Sequence, residues 1–260
     1  MTRSRAKAEW VGFKTIIIRE FSRIVRIWGQ TIVPPAVTAT LYFIIFGSLI
    51  GRRVGAVGGY DYMQFIAPGL IMMTVIQNSY GNVVSSFFGA KFGKHVEELL
   101  VSPLPNWLIV AGYVGGGILR GVLVGSVVTI VSLFFTRLHL THVFAIASAV
   151  FLTSVVFALG GFINALFAKN FDQISWFPTF VLTPLTYLGG VFYSINMLPN
   201  WAHVVSHANP ILYMVSAFRY GFLGTSDVDL RLAYAIMVSA AVGMFTLALV
   251  LLNRGTGIRD

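Results

Sequence analysis

No cysteine occurs among the 260 residues, so disulfides and thiolate-bound metals are excluded. Charge is scarce as well. Asp, Glu, Lys and Arg make up 10% of the chain, against about 25% in a soluble globular domain. Acids are the scarcer half, 9 against 18 basic residues, and almost none falls inside an apolar run. An ion-coupled carrier or channel would show paired intramembrane acids, or broken helices at matching places in two halves. No such repeat is visible, and that class is the alternative reading. A phosphate loop is missing too. The nearest approach, Gly89 to His95, is one residue short between its glycines, and His95 stands where a magnesium-binding Ser or Thr belongs. Gly115 to Arg120 fails the dinucleotide pattern, with no strand before it. No nucleophile-elbow arrangement of Ser and His appears. His203 and His207 share a helix face, but Val204 stands where a zinc peptidase carries Glu. A polar outer helix face is the plainer reading of that pair.

What the chain has in abundance is apolar length. It is 57% hydrophobic, in runs near the ~20 residues that cross ~30 Å of hydrocarbon. A β-barrel would instead alternate over ~10-residue segments. The composition predicts an all-α polytopic membrane protein with six transmembrane helices, at 31–50, 62–88, 107–135, 143–168, 174–193 and 232–252. The whole of 1–260 reads as one transmembrane domain, with no room for an extramembrane one. Residues 1–30 form an amphipathic interfacial helix, 31–252 the six-span region, and 253–260 a tail.

The net charge of +9 points to the membrane rather than to nucleic acid, because the basic residues gather at the flanks of the spans. Twelve Lys and Arg fall on the side of the termini and the 89–106 stretch, five on the other, and Arg120 lies within a span. The positive-inside rule then places both termini in the cytoplasm. In 1–30, Trp10, Phe13, Ile17, Phe21, Ile24 and Trp28 fall on one face at ~100° per residue. Arg19, Arg23, Arg26 and Gln30 fall opposite, as in a helix lying in the headgroup region. A transit peptide is the competing reading, disfavoured by Glu9 and Glu20.

The stretch 89–106 is the densest polar interruption. Lys91, Lys94, Glu97 and Glu98 keep it in water. Pro103 and Pro105 end a short helix whose greasy side, Leu99, Leu100 and Val101, suits docking on another protein. A solvated connector is the plain alternative. In the third span, Gly117, Gly121 and Gly125 make a small-residue ridge for close helix approach, or a hinge. Arg120 on that span either bonds carbonyls or Asn164, or meets an anionic headgroup. In 194–229, two short helices at 199–206 and 211–222 lie at the outer interface or re-enter the bilayer.

The run Glu97-Glu98-Leu99-Leu100-Val101-Ser102-Pro103 resembles the ABC-2 type transporter permeases. So do Gly112-Tyr113-Val114-Gly115-Gly116-Gly117, Pro184 to Gly190 and Asn209-Pro210, which look closest to the YadH-like bacterial subgroup. The likeness covers essentially the whole chain. It implies the permease subunit of an exporter of the bacterial cytoplasmic (inner) membrane, pairing as a homodimer and driven by two copies of a separate cytoplasmic ABC ATPase. It also implies that the ATPase binds ATP and Mg, while this chain binds no cofactor and no metal and is not itself an enzyme. Lys94, Val96, Glu97, Glu98, Leu99, Leu100 and Val101 would form the coupling helix seated in the ATPase. The two carboxylates would then meet basic groups while Leu99 and Leu100 fill an apolar recess. The substrate class, whether lipid, glycan, drug or peptide, stays open.

Overall fold

Where lipid surrounds a chain, each segment must satisfy its own backbone, and helices do this alone. The computed structural model describes residues 2–257 and is helical almost throughout. Arg259 and the side chains of Arg3, Arg5 and Arg52 lie outside the described residues. The helices of seven residues or more are α1 (Thr2–Arg26), α2 (Trp28–Tyr42), α3 (Tyr62–Phe92), α4 (His95–Val101) and α5 (Asn106–Ser132). They continue with α6 (Val143–Phe167), α7 (Phe171–Phe177), α8 (Asn200–His207), α9 (Pro210–Leu223) and α10 (Leu230–Arg254).

Among the described residues, four segments are long and apolar enough to cross a membrane: Trp28–Gly47, Asn106–Ser132, Val143–Phe167 and Leu230–Arg254. The other two expected spans fall short for different reasons. α3 has 31 residues, about 46 Å at 1.5 Å per residue. Its hydropathy is lowered by Thr74, Gln77, Asn78, Ser79 and Asn82, four of which are buried by neighbouring helices. α7 is short and irregular. It passes into a π-helical turn, Pro178–Leu182, and then Thr183–Tyr187. Pro184 has no N–H to give the carbonyl of Phe180, and the Thr183 amide reaches back to Pro178 O.

The first span, expected over 31–50, begins earlier: α2 starts at Trp28, holds Pro34 and Pro35 within it, and continues as a π-helix over Phe43–Gly51. The glycine-rich loop beyond it holds a hairpin, Ala56–Val57 against Tyr60–Asp61. Gly58 and Gly59 turn it with φ of 60° and 86°, as a two-residue type I′ turn requires. Asp61 then caps α3 by accepting from the Met63 amide at 3.2 Å.

α3 is the axis of the molecule. Ile66, Val75, Val83 and Phe87 are fully buried along it. Phe87 packs on Phe162 of α6 at 4.2 Å and edge-on to Tyr113 of α5 at 5.1 Å. Helices in lipid gain little from apolar burial against each other and depend on close approach. Gly161 supplies it: a Cβ there would lie 2.5 Å from the Tyr80 carbonyl of α3. At the α4 end, Lys91 Nζ donates to Leu166 O at 2.6 Å and Ala168 O at 2.7 Å, closing the C-terminus of α6.

Candidate functional site

The chain reverses after α3 at Lys94, whose φ of 59° is the one positive value outside glycine among the described residues. A non-glycine residue in this region is uncommon. α4 follows, and its two sides separate cleanly. Val96 is buried, and Leu99 and Leu100 pack half-buried against the chain's own core. The greasy side therefore packs in part on its own protein. Lys94, Glu97, Glu98 and Val101 point outward at helical spacing, with Val101 87% exposed. Beside them, Glu97, Leu100 and Val101 border a cleft of about 560 Å³ whose far wall is Leu252, Asn253 and Gly255 at the end of α10. Asn106 Nδ2 donates to Asn253 Oδ1 at 2.6 Å across its floor.

α1 is keyed into this end of the molecule by a buried carboxylate. Glu20 is 1% exposed. It accepts from Arg23 Nη2 at 3.0 Å, from Asn82 Nδ2 at 3.3 Å and from Ser86 Oγ. Arg23 also reaches Asn82 Oδ1 at 2.8 Å and Ser85 Oγ at 3.2 Å, and Arg19 donates to Tyr113 OH at 2.6 Å. α1 thus bridges α3 and α5. Glycines on α5 make room: a Cβ on Gly112 would lie 2.7 Å from Ile16, on Gly115 2.5 Å from Ile17, and on Gly116 2.7 Å from Glu20. The inner face of α1 runs through Ile16, Glu20 and Ile24, while Trp10, Phe21 and Trp28 stay more than half exposed. The face expected from the tryptophans is therefore rotated, and Arg19 and Arg23 turn inward rather than away.

Midway along the bundle stands Arg120. Its Nε donates to Asn78 Oδ1 at 3.3 Å, and Asn78 Nδ2 donates to Thr74 O at 2.9 Å. Asn164, the expected partner, instead donates to Tyr80 OH at 2.7 Å. One residue along from Arg120, a Cβ on Gly121 would sit 2.0 Å from Ser79 Oγ. On Gly117 it would meet Val83 and Ala158 at 2.8 Å, and on Gly125 Val75 at 2.7 Å. α5 is thus two-sided, with one glycine row facing α1 and another facing α3 and α6.

The sequence model of the ABC-2 type transporter family matches residues 11–223, which takes in α4, Arg120 and the Glu20 cluster. The chain belongs to the ABC-2 type transporter family. It is 55% identical over 251 residues to the inner membrane transport permease YadH of Escherichia coli K12, covering 96% of this chain and 98% of that one. YadH of Shigella flexneri matches to the same extent. Nodulation protein J of Rhizobium leguminosarum bv. viciae is 23% identical over 215 residues, covering 82% and 83%. As an ABC-2 protein the chain is the membrane subunit of an ABC transporter, and membership implies an ATPase partner.

Two further features of this ABC-2 subunit escaped sequence reasoning. Arg219 is one of the five basic residues that the charge count puts on the side opposite the termini, yet it is 1% exposed. Its guanidinium lies 3.9 Å over the Phe65 ring, and Nη2 donates to Gly190 O at 2.6 Å. Nη1 pairs with Asp227 at 3.2 Å, and Asp227 accepts from Ser194 at 2.8 Å. One arginine so ties α9 to α3 and to the turn after α7. The available signal was an arginine between Phe218, Tyr220 and Phe222. The second feature is Gln77, an exposed amide halfway along α3, between buried neighbours Ile76 and Asn78. It borders two hollows, one with α2 residues Pro34, Thr38 and Tyr42, the other with Ile174 and Ser175 of α7 and Pro178 of the turn after it.

Proposed function

We propose that this ABC-2 chain is the permease of an inner-membrane exporter, working as a homodimer with two copies of a separate cytoplasmic ATPase. In this reading α3 and the α7 segment complete six spans, both termini lie in the cytoplasm, and ATP and Mg belong to the partner. The observation that carries it is the outward face of α4. A helix anchored through Val96 presents Lys94, Glu97, Glu98 and Val101 as exposed side chains. Val101, 87% exposed, is an apolar knob beside two carboxylates, and such a mixed face fits a basic, hydrogen-bonding recess on the ATPase. Motion imposed on α4 passes to α3 through the Lys94 turn, and to α1 and α5 through Leu104, which lies against Gly12. The two permease copies then shift between inward- and outward-open populations. The cargo stays at the level of a substrate exported across the membrane.

The test is the double change Glu97→Lys with Glu98→Lys, purified with the ATPase. Reversing a desolvated charge pair costs ~2–5 kcal/mol, so co-elution should fall by more than tenfold while membrane yield stays at the wild-type level. Unchanged co-elution and unchanged hydrolysis would make α4 a connector and remove the reading.

A further inference from the structure

We propose that Arg120, braced by Asn78 at the centre of α3, is a binding site for the phosphate headgroup of an amphiphile. Arg120 stands 14 residues into α5, about 21 Å along its axis, and Asn78 is near the midpoint of the 31-residue α3. Among the described residues the guanidinium makes one hydrogen bond, through Nε to Asn78, and no ion pair. The buried carboxylate of this region, Glu20, is engaged by Arg23, Asn82 and Ser86. Asn78 and Asn82 are one helical turn apart, about 6 Å, and each holds an arginine. Arg19 and Arg23 share Glu20, and Arg120, on the same side of the bundle, has no acid paired with it among the described residues.

An arginine at that depth without a counter-ion is unfavourable unless water or an anion answers it. With Nε fixed on Asn78, the two terminal nitrogens form a fork that donates to two oxygens of one phosphate. Asn78 also lines a slot of about 200 Å³ between α2 and α3, with Thr38, Tyr42, Leu70, Met73 and Gln77. Its mixed walls suit the first part of a chain below a headgroup. The ligand class is a phosphorylated amphiphile, which either resides there as lipid or passes as cargo.

The probe is dodecyl phosphate, added to the full chain in neutral maltoside detergent, with the thermal midpoint read from tryptophan fluorescence. Wild type should shift upward saturably. Arg120→Gln should raise the half-saturating concentration about ten- to a hundredfold, the loss of a charge-assisted bond. Arg120→Lys should fall between, lacking the fork. Asn78→Asp supplies an internal counter-ion, so it should raise the unliganded midpoint and abolish the response; a merely structural arginine would not give that pair of results. If Arg120→Gln does not fold, the Lys and Asp variants decide. Equal responses in wild type and Arg120→Gln, an undiminished response in Asn78→Asp, or the same shift from inorganic phosphate would each overturn the proposal. Stimulation of ATP hydrolysis by dodecyl phosphate, in the complex reconstituted in phosphatidylcholine vesicles, identifies cargo. Arg120-dependent co-purification of phosphatidylglycerol without stimulation identifies a resident lipid. Neither arm depends on the α4 variant, so the two readings fail separately.

Discussion

Replacing Glu20 by Gln should cost far more than an ordinary surface ion pair, because the carboxylate is 1% exposed and holds three partners. Gln keeps the shape and one carbonyl oxygen. It loses the negative charge opposite Arg23 and presents an NH2 where Ser86 or Asn82 needs an acceptor. Breaking one member of a buried ionic network leaves the other uncompensated, and such changes cost about 3–5 kcal/mol. An exposed pair would lose about 0.2–1 kcal/mol. The assay is reversible unfolding in mixed micelles, run on Glu20→Gln, Arg23→Gln and the double variant. The pair should couple by about 1–3 kcal/mol, since the double removes both charges at once. Trypsin should also cut faster near Lys14 and Arg26 in Glu20→Gln, as α1 leaves the glycine row of α5. A loss near that of a surface pair, with additive singles and unchanged proteolysis, would refute the keyed α1.

The glycine rows give a graded set. Gly121→Ala places a Cβ 2.0 Å from Ser79 Oγ and should destabilise by about 1–3 kcal/mol, while Gly81→Ala, with nothing within 4 Å, should be near neutral in the same unfolding assay. Arg219→Leu removes the partner of Asp227 and two carbonyl bonds, so it should cost about 3–5 kcal/mol and expose Thr225 and Ser226 to faster protease cleavage. Topology can be read with single cysteines, because the chain has none of its own. Thr225→Cys should react with an impermeant maleimide in intact cells and Val101→Cys only after lysis; the reverse pattern would overturn the proposed orientation.

Helix positions were readable where the polar punctuation is strong. The outer pair is expected at 199–206 and 211–222, and is found at Asn200–His207 and Pro210–Leu223. Asn209 caps the second by accepting from Ile211 N at 3.0 Å. The long helices α5, α6 and α10 likewise begin and end within a few residues of their expected bounds. Which face of a helix meets protein was not readable. In a lipid-bathed chain both faces are apolar, so Ile16 and Ile18 look alike although one is 3% and the other 51% exposed. Periodicity could not show that Glu20 is buried, because two of its three partners, Asn82 and Ser86, sit more than 60 residues away on α3. The Gly-Gly hairpin at 58–59 was legible from turn chemistry, and a reading focused on apolar runs passes over it.

Lys91 belongs to two histories of the same molecule. In the proposed orientation, its ammonium is one of the charges that fix which side stays behind while the chain is inserted. Once α6 is in place, that ammonium is drawn onto the carbonyls of Leu166 and Ala168. Acetylation after assembly and replacement by Gln before it are then unequal lesions. The first would uncap a finished helix, and the second would also weaken the signal that oriented it.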